Sequence, residues 1–302
     1  MSASLTLRET AGDHWTCMVT GASGGMGRVI ATDLARRGAT VVLVCRDRTT
    51  GDALARHIGQ VTGNDRVEVL TADLAEQGDI RRLAAQFLAR HDTLHLLVNN
   101  AGAHFPQRRV STEGIELHLA INHLAWFLLT NLLRGALAAG APARVVNIAS
   151  EAMTDSRQVK ILPRPRPVPL GLDDLNSERS FEPMAVYGRS KLAMLMCGYV
   201  LARRLADTGV TVNSVHPGLV ATSIVDAVAP RVARPALGLV RRSLLTPEQG
   251  AAAALYLATA PELAEVTGKY FIRQTEHRSP DNSYDIELQE QLWRASTQMV
   301  GL

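Results

Sequence analysis

The sequence has few cysteines and no long apolar segment. Its three cysteines, Cys17, Cys45 and Cys197, are odd in number and widely spaced, which argues against a disulfide framework or a zinc knuckle and favours a reducing compartment. The most apolar stretch, 117–139, is interrupted by histidine, asparagine and arginine, so no membrane-spanning helix is predicted. The first 15 residues lack the cationic start and apolar core of a secretory signal. These absences predict a soluble, cytoplasmic protein.

An excess of charge of one sign is also lacking. The sequence carries 32 Lys and Arg against 29 Asp and Glu, a net charge of +3, which is too small for a dedicated nucleic-acid or membrane-surface protein. Lysine occurs only as Lys160, Lys191 and Lys269. His91 and His95 have no glutamate between them, so their spacing predicts no metal site. The predicted partner is therefore a small molecule.

What the sequence does contain is a regular alternation of short apolar runs with helical periodicity. The runs are rich in Val, Leu and Ile and lack strict polar–apolar alternation, as in strands that are covered on both faces. Strand alternating with helix predicts an α/β fold with a parallel sheet of about seven strands between two helical layers, and we interpret 1–302 as one domain. The predicted strands are 15–20, 40–45, 67–71, 95–99, 144–149, 210–215 and 269–272, and the predicted helices are 25–37, 49–62, 78–90, 111–138, 184–208 and 247–259.

Two stretches depart from this alternation and are predicted to be loops over a site. Residues 151–183 carry prolines at alternate positions from 163 to 169, which exclude helix and favour an extended path. Residues 220–245 are apolar with scattered arginines and precede a well-formed helix start at Thr246. We interpret the first as a proline-rich lid insert and the second as a substrate lid.

A glycine-rich turn directly follows the first predicted strand. The segment Thr20-Gly21-Ala22-Ser23-Gly24-Gly25-Met26-Gly27 leads into the first predicted helix. Glycines permit a tight turn and let the backbone approach a pyrophosphate, while the helix N-terminus offers free N–H groups. This context predicts a doubly wound, Rossmann-type dinucleotide-binding sheet. The residues predicted to contact the cofactor in this turn are Gly21, Ser23, Gly25, Met26 and Gly27.

The same letters also satisfy a hydrolase pattern. Residues 21–25 read as G-x-S-x-G, in which Ser23 would be a nucleophile on a strand-to-helix elbow and His216 an available base. The elbow would then follow the first strand of the fold, which is unusual. A serine hydrolase is therefore the least favoured alternative.

Arg46, at the end of the second predicted strand, bears on the choice between NAD and NADP. An acidic side chain there would bind the ribose 2′-hydroxyl of NAD, whereas an arginine suits the 2′-phosphate of NADP, which it binds bidentately. Asp47, the next residue, is a candidate cap for the following helix. The pattern favours NADP(H), against the alternative that Arg46 is a solvated loop residue.

Tyr187 and Lys191 form a candidate acid–base pair. They lie four residues apart in a predicted helix and therefore share one face. A phenol with an unperturbed pKa of about 10 is a poor proton donor or acceptor at neutral pH. A neighbouring cation favours the phenolate and lowers that pKa. The alternative is a surface tyrosine beside a surface lysine.

With these motifs in place, the sequence resembles the short-chain dehydrogenase/reductase family almost from end to end. Residues 20–27 are similar to the family's T-G-x-x-x-G-x-G turn, and residues 99–102 match its N-N-A-G motif. The resemblance implies that the catalytic residues are Asn122, Ser150, Tyr187 and Lys191. It also implies cofactor contacts from Asp73, Leu74, Asn100, Ala101, Gly102, Tyr187, Lys191, Pro217, Gly218 and Thr222.

The reaction implied by the resemblance is hydride transfer between NADP(H) and a carbonyl or alcohol. Tyr187 would exchange the proton, and Ser150 would hydrogen-bond the carbonyl oxygen. Lys191 would lower the Tyr187 pKa and hold the ribose, and Asn122 would organise a water-linked proton relay. The cofactor supplies the hydride chemistry, and the protein supplies position and electrostatics.

Four segments look most like the retinol-dehydrogenase-like branch of that family. They are 45–47, 122–124, 215–218 and 292–293. Members of that branch generally use NADP and act on bulky apolar carbonyls or alcohols. The membrane anchor of many members does not carry over to this sequence. The interval from Ser150 to Tyr187 is longer than is usual in the family because of the proline-rich insert, which leaves the form of the lid open.

Substrate and assembly are left open by the sequence. The composition of the two lids favours a large, mostly apolar molecule such as an aromatic polyketide ketone, with a retinoid or steroid as second choice. A further alternative is a non-catalytic NADP-binding scaffold whose segment 162–170 docks into an SH3-like groove. The resemblance is compatible with a homo-oligomer without specifying one. His104 and His123 are interpreted as packing or pocket residues.

Overall fold

A computed structural model describes residues 15–155, 168–221 and 244–302, in which eight strands form one sheet. The strands are β1 (Thr16–Thr20), β2 (Thr40–Cys45), β3 (Val67–Thr71), β4 (Leu96–Asn99), β5 (Ala143–Ile148), β6 (Val210–His216), β7 (Lys269–Ile272) and β8 (Thr275–Glu276). The helices are α1 (Gly25–Arg36), α2 (Arg48–Thr62), α3 (Gln77–Leu88), α4 (Leu117–Leu119 and Ala125–Leu132, joined by a π-helical turn, Ala120–Leu124), α5 (Arg134–Ala139), α6 (Pro183–Arg204), α7 (Pro247–Thr259) and α8 (Ile286–Val300).

The sheet is parallel from β3 through β7, in the spatial order β3-β2-β1-β4-β5-β6-β7-β8. This confirms the predicted α/β, doubly wound architecture. The prediction of about seven strands missed β8, a two-residue strand that pairs antiparallel with β7. Because β1 pairs with both β2 and β4, the chain order reverses at β1, and ligands bind such sheets beyond the strand ends at this point.

Helices cover both faces of the sheet. Along β1 and β2, successive apolar side chains alternate between two buried clusters, as the strand period of two requires. Met18 and Val42 pack with α3, α4, α6 and α8 on one face. Cys17 and Val41 pack with α1, α2 and α7 on the other. The sheet is therefore buried on both sides, which accounts for its continuous apolar strands.

Two helical predictions needed correction. The predicted helix 111–138 begins at Leu117, has the π-helical turn within it, and breaks at Leu133 before α5. The C-terminal helix α8 was not predicted. Its buried face includes Gln289 and Ser296 beside Leu292 and Trp293, so its apolar stripe is interrupted in the sequence.

The two predicted lids lie only partly within the described residues. Residues 151–155 and 168–183 of the first are described, and Val168 and Leu170 are buried there. In the second, Val220 forms a parallel bridge with Leu245, and residues 222–243 lie outside the described residues. The one-domain interpretation of 1–302 stays a prediction. Among the helices that are described, none is long and apolar enough to cross a membrane.

Candidate active site

The loops that follow β1 and β4 are joined at the point where the sheet order reverses. The Thr20 hydroxyl accepts hydrogen bonds from the backbone N–H groups of Asn100 and Ala101, both at 3.0 Å. In return, Asn100 Nδ2 donates to the carbonyls of Thr20 at 2.9 Å and Gly21 at 3.2 Å. The predicted glycine turn and the N-N-A-G segment therefore form one interlocked rim.

The glycine turn leaves room for a diphosphate at the start of α1. Gly21 has a φ of +63°, and a Cβ at Gly27 would lie 2.3 Å from the Gly21 carbonyl oxygen, so both positions require glycine. Gly24, the N-cap, provides no side-chain cap, and the first turn carries no acidic residue. Ser23 and Gly25 are exposed and Met26 is half-buried. The N-terminal N–H groups of α1 are thus presented to a bound anion, which fits the pyrophosphate of a dinucleotide.

Ser23 is placed differently from a hydrolase nucleophile. Burial raises the pKa of the Cys45 thiol, and hydrogen bonding with Ser23 opposes that shift. His216, the candidate base, lies at the end of β6 with Nε2 4.0 Å from a carboxylate oxygen of Glu151. The side-chain partner of Ser23 is therefore a cysteine on β2 rather than a histidine.

At the tip of β2, the neighbouring residues Arg46 and Asp47 have different environments. The Asp47 side chain caps α2 by accepting a hydrogen bond from Thr50 N at 2.8 Å, as predicted. This bond and the one from the Thr50 hydroxyl hold the pKa of Asp47 below its ordinary value. The Arg46 side chain is exposed. The acidic residue at this tip is thus engaged locally, and the arginine faces solvent.

Asp73 and Leu74 follow β3 on the same rim. The Asp73 carboxylate accepts a hydrogen bond from Ala75 N at 3.0 Å, and its own N–H donates to Asp79. Leu74 is half-buried and lines a small cavity together with Thr20 and Ala101. Asp73 and Leu74, two of the predicted cofactor contacts, therefore lie beside the interlocked rim.

Ser150 and Tyr187 are brought together although 37 positions separate them in the sequence. Ser150 follows β5 and caps a 3₁₀ turn, Glu151–Met153, with its hydroxyl accepting from Ala152 N at 3.2 Å. Tyr187, on α6, is buried, and its hydroxyl is hydrogen-bonded to the Ser150 side chain. The predicted proton-exchanging and oxygen-binding hydroxyls thus adjoin each other.

The electrostatics of Tyr187 differ from the sequence-based expectation. Burial raises the Tyr187 pKa above its ordinary value, and the hydrogen bond with Ser150 only partly opposes that shift. The expected lowering by Lys191 is not found because the ammonium is directed elsewhere: its Nζ donates to the Ile148 carbonyl at 2.8 Å. Burial also lowers the pKa of Lys191, to about 8.

Asn122 connects the rim to α6. It lies in the π-helical turn, is fully buried, and accepts from Ala103 N at 2.8 Å while its Nδ2 donates to Ala103 O at 2.9 Å. The same Nδ2 donates to Ser190 Oγ, which itself donates to the Tyr187 carbonyl. A Cβ at Gly102 would lie 3.3 Å from Lys191 Nζ and 3.4 Å from Asn122 Oδ1. The side chains of Asn122 and Lys191 therefore both lie close to Gly102.

The segment after β6 completes the edge of the site. Pro217 is buried, and Gly218 has a φ of +95°, so the chain turns there in a conformation that favours glycine. A Cβ at Gly218 would also lie 2.6 Å from a methyl group of Leu245. Thr222, the remaining predicted cofactor residue, lies outside the described residues.

Two residues that sequence reasoning missed help to assemble this site. Ser190 bridges Asn122 to the backbone of Tyr187. Gly188 lets α6 approach the turn after β5, since a Cβ there would lie 2.4 Å from the Ala152 carbonyl oxygen. A glycine inside a helix is a recognisable signal in the sequence, and it could have indicated this close approach.

A dinucleotide-binding sheet with adjoining hydroxyl, phenol and ammonium groups is the arrangement of a nucleotide-dependent oxidoreductase. In agreement, the family model described as short chain dehydrogenase matches residues 16–161, and one described as enoyl-(acyl carrier protein) reductase matches residues 170–273. Human retinol dehydrogenase 13 is 36% identical over 292 residues, covering 95% of this chain and 85% of that protein. Human polyprenol dehydrogenase is 36% identical over 293 residues, covering 94% and 84%. The chain belongs to the short-chain dehydrogenase/reductase family, in its retinol-dehydrogenase-like branch.

Solved structures agree with this assignment. An uncharacterized protein from Mycobacterium paratuberculosis is 28% identical with a TM-score of 0.74, covering 95% of this chain and 93% of that one. An active-site complex of Pseudomonas aeruginosa RhlG with NADP is 26% identical with a TM-score of 0.66, covering 89% and 97%. The Rossmann-type fold and the oxidoreductase class are therefore established.

Proposed function

We propose that this oxidoreductase uses NADP(H) to interconvert a ketone or aldehyde with its alcohol on a bulky, mostly apolar substrate. The observation that carries the proposal is the hydrogen bond between the Ser150 side chain and buried Tyr187, one helical turn before buried Lys191. These groups provide a proton donor and a hydrogen-bond donor for one carbonyl oxygen. The catalytic residues that we propose are Asn122, Ser150, Tyr187 and Lys191.

The residues on the rim fit a nicotinamide dinucleotide. Gly21, Ser23, Gly25, Met26 and Gly27 would hold the pyrophosphate at the start of α1, since the helix has no side-chain cap and no acidic residue in its first turn. Arg46 would bind a 2′-phosphate, because it is exposed while Asp47 is engaged in capping α2. Further contacts that we propose are Asp73, Leu74, Asn100, Ala101, Gly102, Pro217, Gly218 and Thr222.

When bound, the cofactor supplies or accepts the hydride. Tyr187 donates a proton to the developing alkoxide during reduction and removes it during oxidation. Ser150 donates a hydrogen bond to the same oxygen and stabilises its negative charge. The raised pKa of Tyr187 supports the role of a neutral proton donor, since the phenol is protonated at neutral pH.

Lys191 and Asn122 support the acid–base step through Tyr187. Lys191, whose ammonium donates to the Ile148 carbonyl at the end of β5, would hold the cofactor ribose beside Tyr187. Asn122, through Ser190, holds the helical turn that carries Tyr187. A proton leaving Tyr187 would pass by way of Lys191 and water near Asn122.

A retinoid-type or polyprenol-type alcohol is the second candidate substrate. Human retinol dehydrogenase 13 and human polyprenol dehydrogenase are similar to this protein over nearly the whole chain. Both named substrates are long apolar isoprenoid alcohols. The similarity to these two relatives favours an apolar substrate. An aromatic polyketide ketone is also a mostly apolar molecule and can be tested in the same assay.

The direct test is NADPH oxidation with a carbonyl panel. All-trans-retinal, a polyprenal, a steroid ketone and an aromatic polyketide ketone would each be offered to the purified chain with NADPH or NADH. We expect turnover of at least one bulky apolar carbonyl. Tight NADPH binding without turnover of any of them would favour the non-catalytic scaffold, and ester cleavage without nucleotide would favour the hydrolase.

Arg46→Ala should weaken NADPH binding far more than NADH binding. An arginine–phosphate contact contributes about 1.5–3 kcal/mol, so the NADPH dissociation constant should rise by about tenfold or more. Cofactor fluorescence titration of both nucleotides measures this. The matched control is Arg48→Ala, because Arg48 lies two residues further along the chain and is paired with Asp52. An unchanged preference in Arg46→Ala would remove its proposed role.

Cofactor affinity should also fall as the pH rises through the pKa of Lys191. That pKa is lowered to about 8, so the ammonium loses its charge, and with it a hydrogen-bond donor to the ribose, above that value. The NADPH dissociation constant should rise by about fivefold between neutral pH and one unit above the Lys191 pKa. Lys191→Met should remove this pH dependence, whereas Lys269→Met, at an exposed lysine paired with Glu276, should retain it. Identical profiles in wild type and Lys191→Met would contradict the assignment.

A further inference from the structure

His104 is a buried histidine whose hydrogen-bonding capacity is not fully used. Only 6% of the residue is exposed, and its Nδ1 has no hydrogen-bond partner in the part of the chain that the structure describes. Burial of an imidazole nitrogen without a partner costs free energy, which a bound ligand can recover. Among residues 15–155, 168–221 and 244–302, nothing satisfies this nitrogen, so a bound ligand could do so.

The backbone on both sides of His104 is held by buried side chains. Ala103, before it, has both its N–H and its carbonyl bonded to Asn122, at 2.8 and 2.9 Å. Phe105, after it, donates its N–H to His118 Nε2 at 2.9 Å. His104 thus lies between two anchored residues, and its imidazole is presented from a rigid segment.

His118, which accepts the Phe105 N–H, is itself paired with the buried carboxylate of Glu116. Because His118 Nε2 accepts the Phe105 N–H, the hydrogen of a neutral imidazole is on Nδ1, which donates to the Glu116 carboxylate at 2.8 Å. Both residues have no exposed surface. The other Glu116 oxygen accepts from Leu119 N at 3.0 Å. Both nitrogens of His118 are therefore engaged, and His118 positions the segment rather than binding a ligand.

His104 faces the proton donor of the site directly. Its ring lies edge-to-face against the Tyr187 ring, with centroids 5.5 Å apart and planes at 88°. The pKa of His104 is lowered to about 4, chiefly by burial and less by the neighbouring His118, with Glu116 opposing both. At neutral pH His104 is thus an uncharged imidazole with one donor and one acceptor.

We propose that His104 hydrogen-bonds a second oxygen of the substrate, a hydroxyl or carbonyl close to the reacting carbon, and thereby selects diketones, hydroxyketones and the corresponding diols over otherwise identical monoketones. The inference rests on the proposed function, because it takes Tyr187 as the group at the reacting carbon. An apolar substrate with one additional polar group near the reaction centre satisfies both the buried imidazole and the apolar surroundings.

The test compares two ketones that share one carbon skeleton. Phenylpropanedione carries a second carbonyl beside the first, and propiophenone lacks it. Their binding to the enzyme–NADP⁺ complex is measured by calorimetry, which needs no turnover, in wild type, His104→Phe and His104→Gln. His91→Phe is the matched control, since His91 also packs against an aromatic ring, that of Phe87 with centroids 4.9 Å apart, outside the site.

We expect wild type to bind the dione about tenfold more tightly than the monoketone, as one recovered hydrogen bond requires. His104→Phe should reduce this ratio to about one, while His104→Gln and His91→Phe should keep most of it. A merely structural role of His104 would weaken both ketones alike and leave the ratio unchanged. An unchanged ratio in His104→Phe would overturn the inference. Equal binding of both ketones to wild type, or no binding of the dione, would overturn it as well.

NADPH oxidation with the same two ketones separates this inference from the proposed function. A preserved binding ratio without any turnover would contradict the proposed function alone. Turnover of both ketones without a preference that depends on His104 would contradict this inference alone.

Discussion

Tyr187→Phe should lower kcat by about a thousandfold while leaving NADPH affinity within about twofold of wild type. The substitution removes only the hydroxyl that adjoins Ser150, and the ring remains to pack against His104 and His118. The loss therefore falls on proton exchange rather than on folding or cofactor binding. Steady-state kinetics with the best substrate of the carbonyl panel, together with NADPH fluorescence titration, measure the two effects separately.

Tyr199→Phe is the matched control, because Tyr199 is a buried tyrosine on the same helix. Its hydroxyl is hydrogen-bonded to Ser279 Oγ at 2.8 Å, at the other end of α6. Its loss should lower the free energy of unfolding by about 1 kcal/mol and leave kcat unchanged. If Tyr187→Phe retained a tenth or more of the wild-type kcat, Tyr187 could not be the proton donor.

The fold could be predicted largely because its signals are local. The strands β1, β2, β3 and β7 were predicted to within one residue, since fully buried parallel strands give continuous apolar runs. The helix α8 escaped prediction because Gln289 and Ser296 occupy its buried face. Ser296 is there because its hydroxyl is bonded to His123, at 2.7 Å, a partner 173 positions away. A buried serine and a buried histidine are compatible with an apolar core only when each satisfies the other by a hydrogen bond, and the sequence does not show that they meet.

The candidate site was predictable to the extent that its parts are contiguous in the sequence. The glycine turn, the N-N-A-G segment and the Tyr187–Lys191 spacing are each visible within a few residues. The direction of the Tyr187 pKa shift was not predictable, because it depends on the burial of the phenol and on where the Lys191 ammonium is directed. Spacing places the two side chains on one face, but the Ile148 carbonyl at the end of β5 binds the ammonium.

The helix α6 combines the core and the site in one element. From Val186 to Ala202 nearly every residue is buried, so the helix is held by apolar contacts along most of its length. Its first turns carry Tyr187, Ser190 and Lys191, and its last turns carry Tyr199. Because the helix is packed as a rigid unit, a small displacement near its start would move all of its site residues together relative to Ser150.

Gly188→Ala should therefore lower kcat/KM by about a hundredfold. The added Cβ would lie 2.4 Å from the Ala152 carbonyl oxygen and 3.1 Å from a Val168 methyl group, so either α6 or the turn after β5 must shift. That turn carries Ser150, and a displacement of about 1 Å between reacting groups costs about that factor. The overpacking should also lower the free energy of unfolding, by about 1–3 kcal/mol. Steady-state kinetics and thermal unfolding of the same preparation measure the two effects.

Gly198→Ala, three turns further along the same buried helix, is the control for helix propensity and for added volume. A Cβ there would make only ordinary contacts, at 3.5 Å, with Asn147 Nδ2 and Ser214 Oγ. We expect unchanged kcat/KM and equal or greater stability, since alanine favours the helix by about 1 kcal/mol over glycine. Wild-type activity in folded Gly188→Ala would mean that the approach of α6 to the Ser150 turn does not set the reactive geometry. Equal losses in both variants would instead place the effect in the helix as a whole.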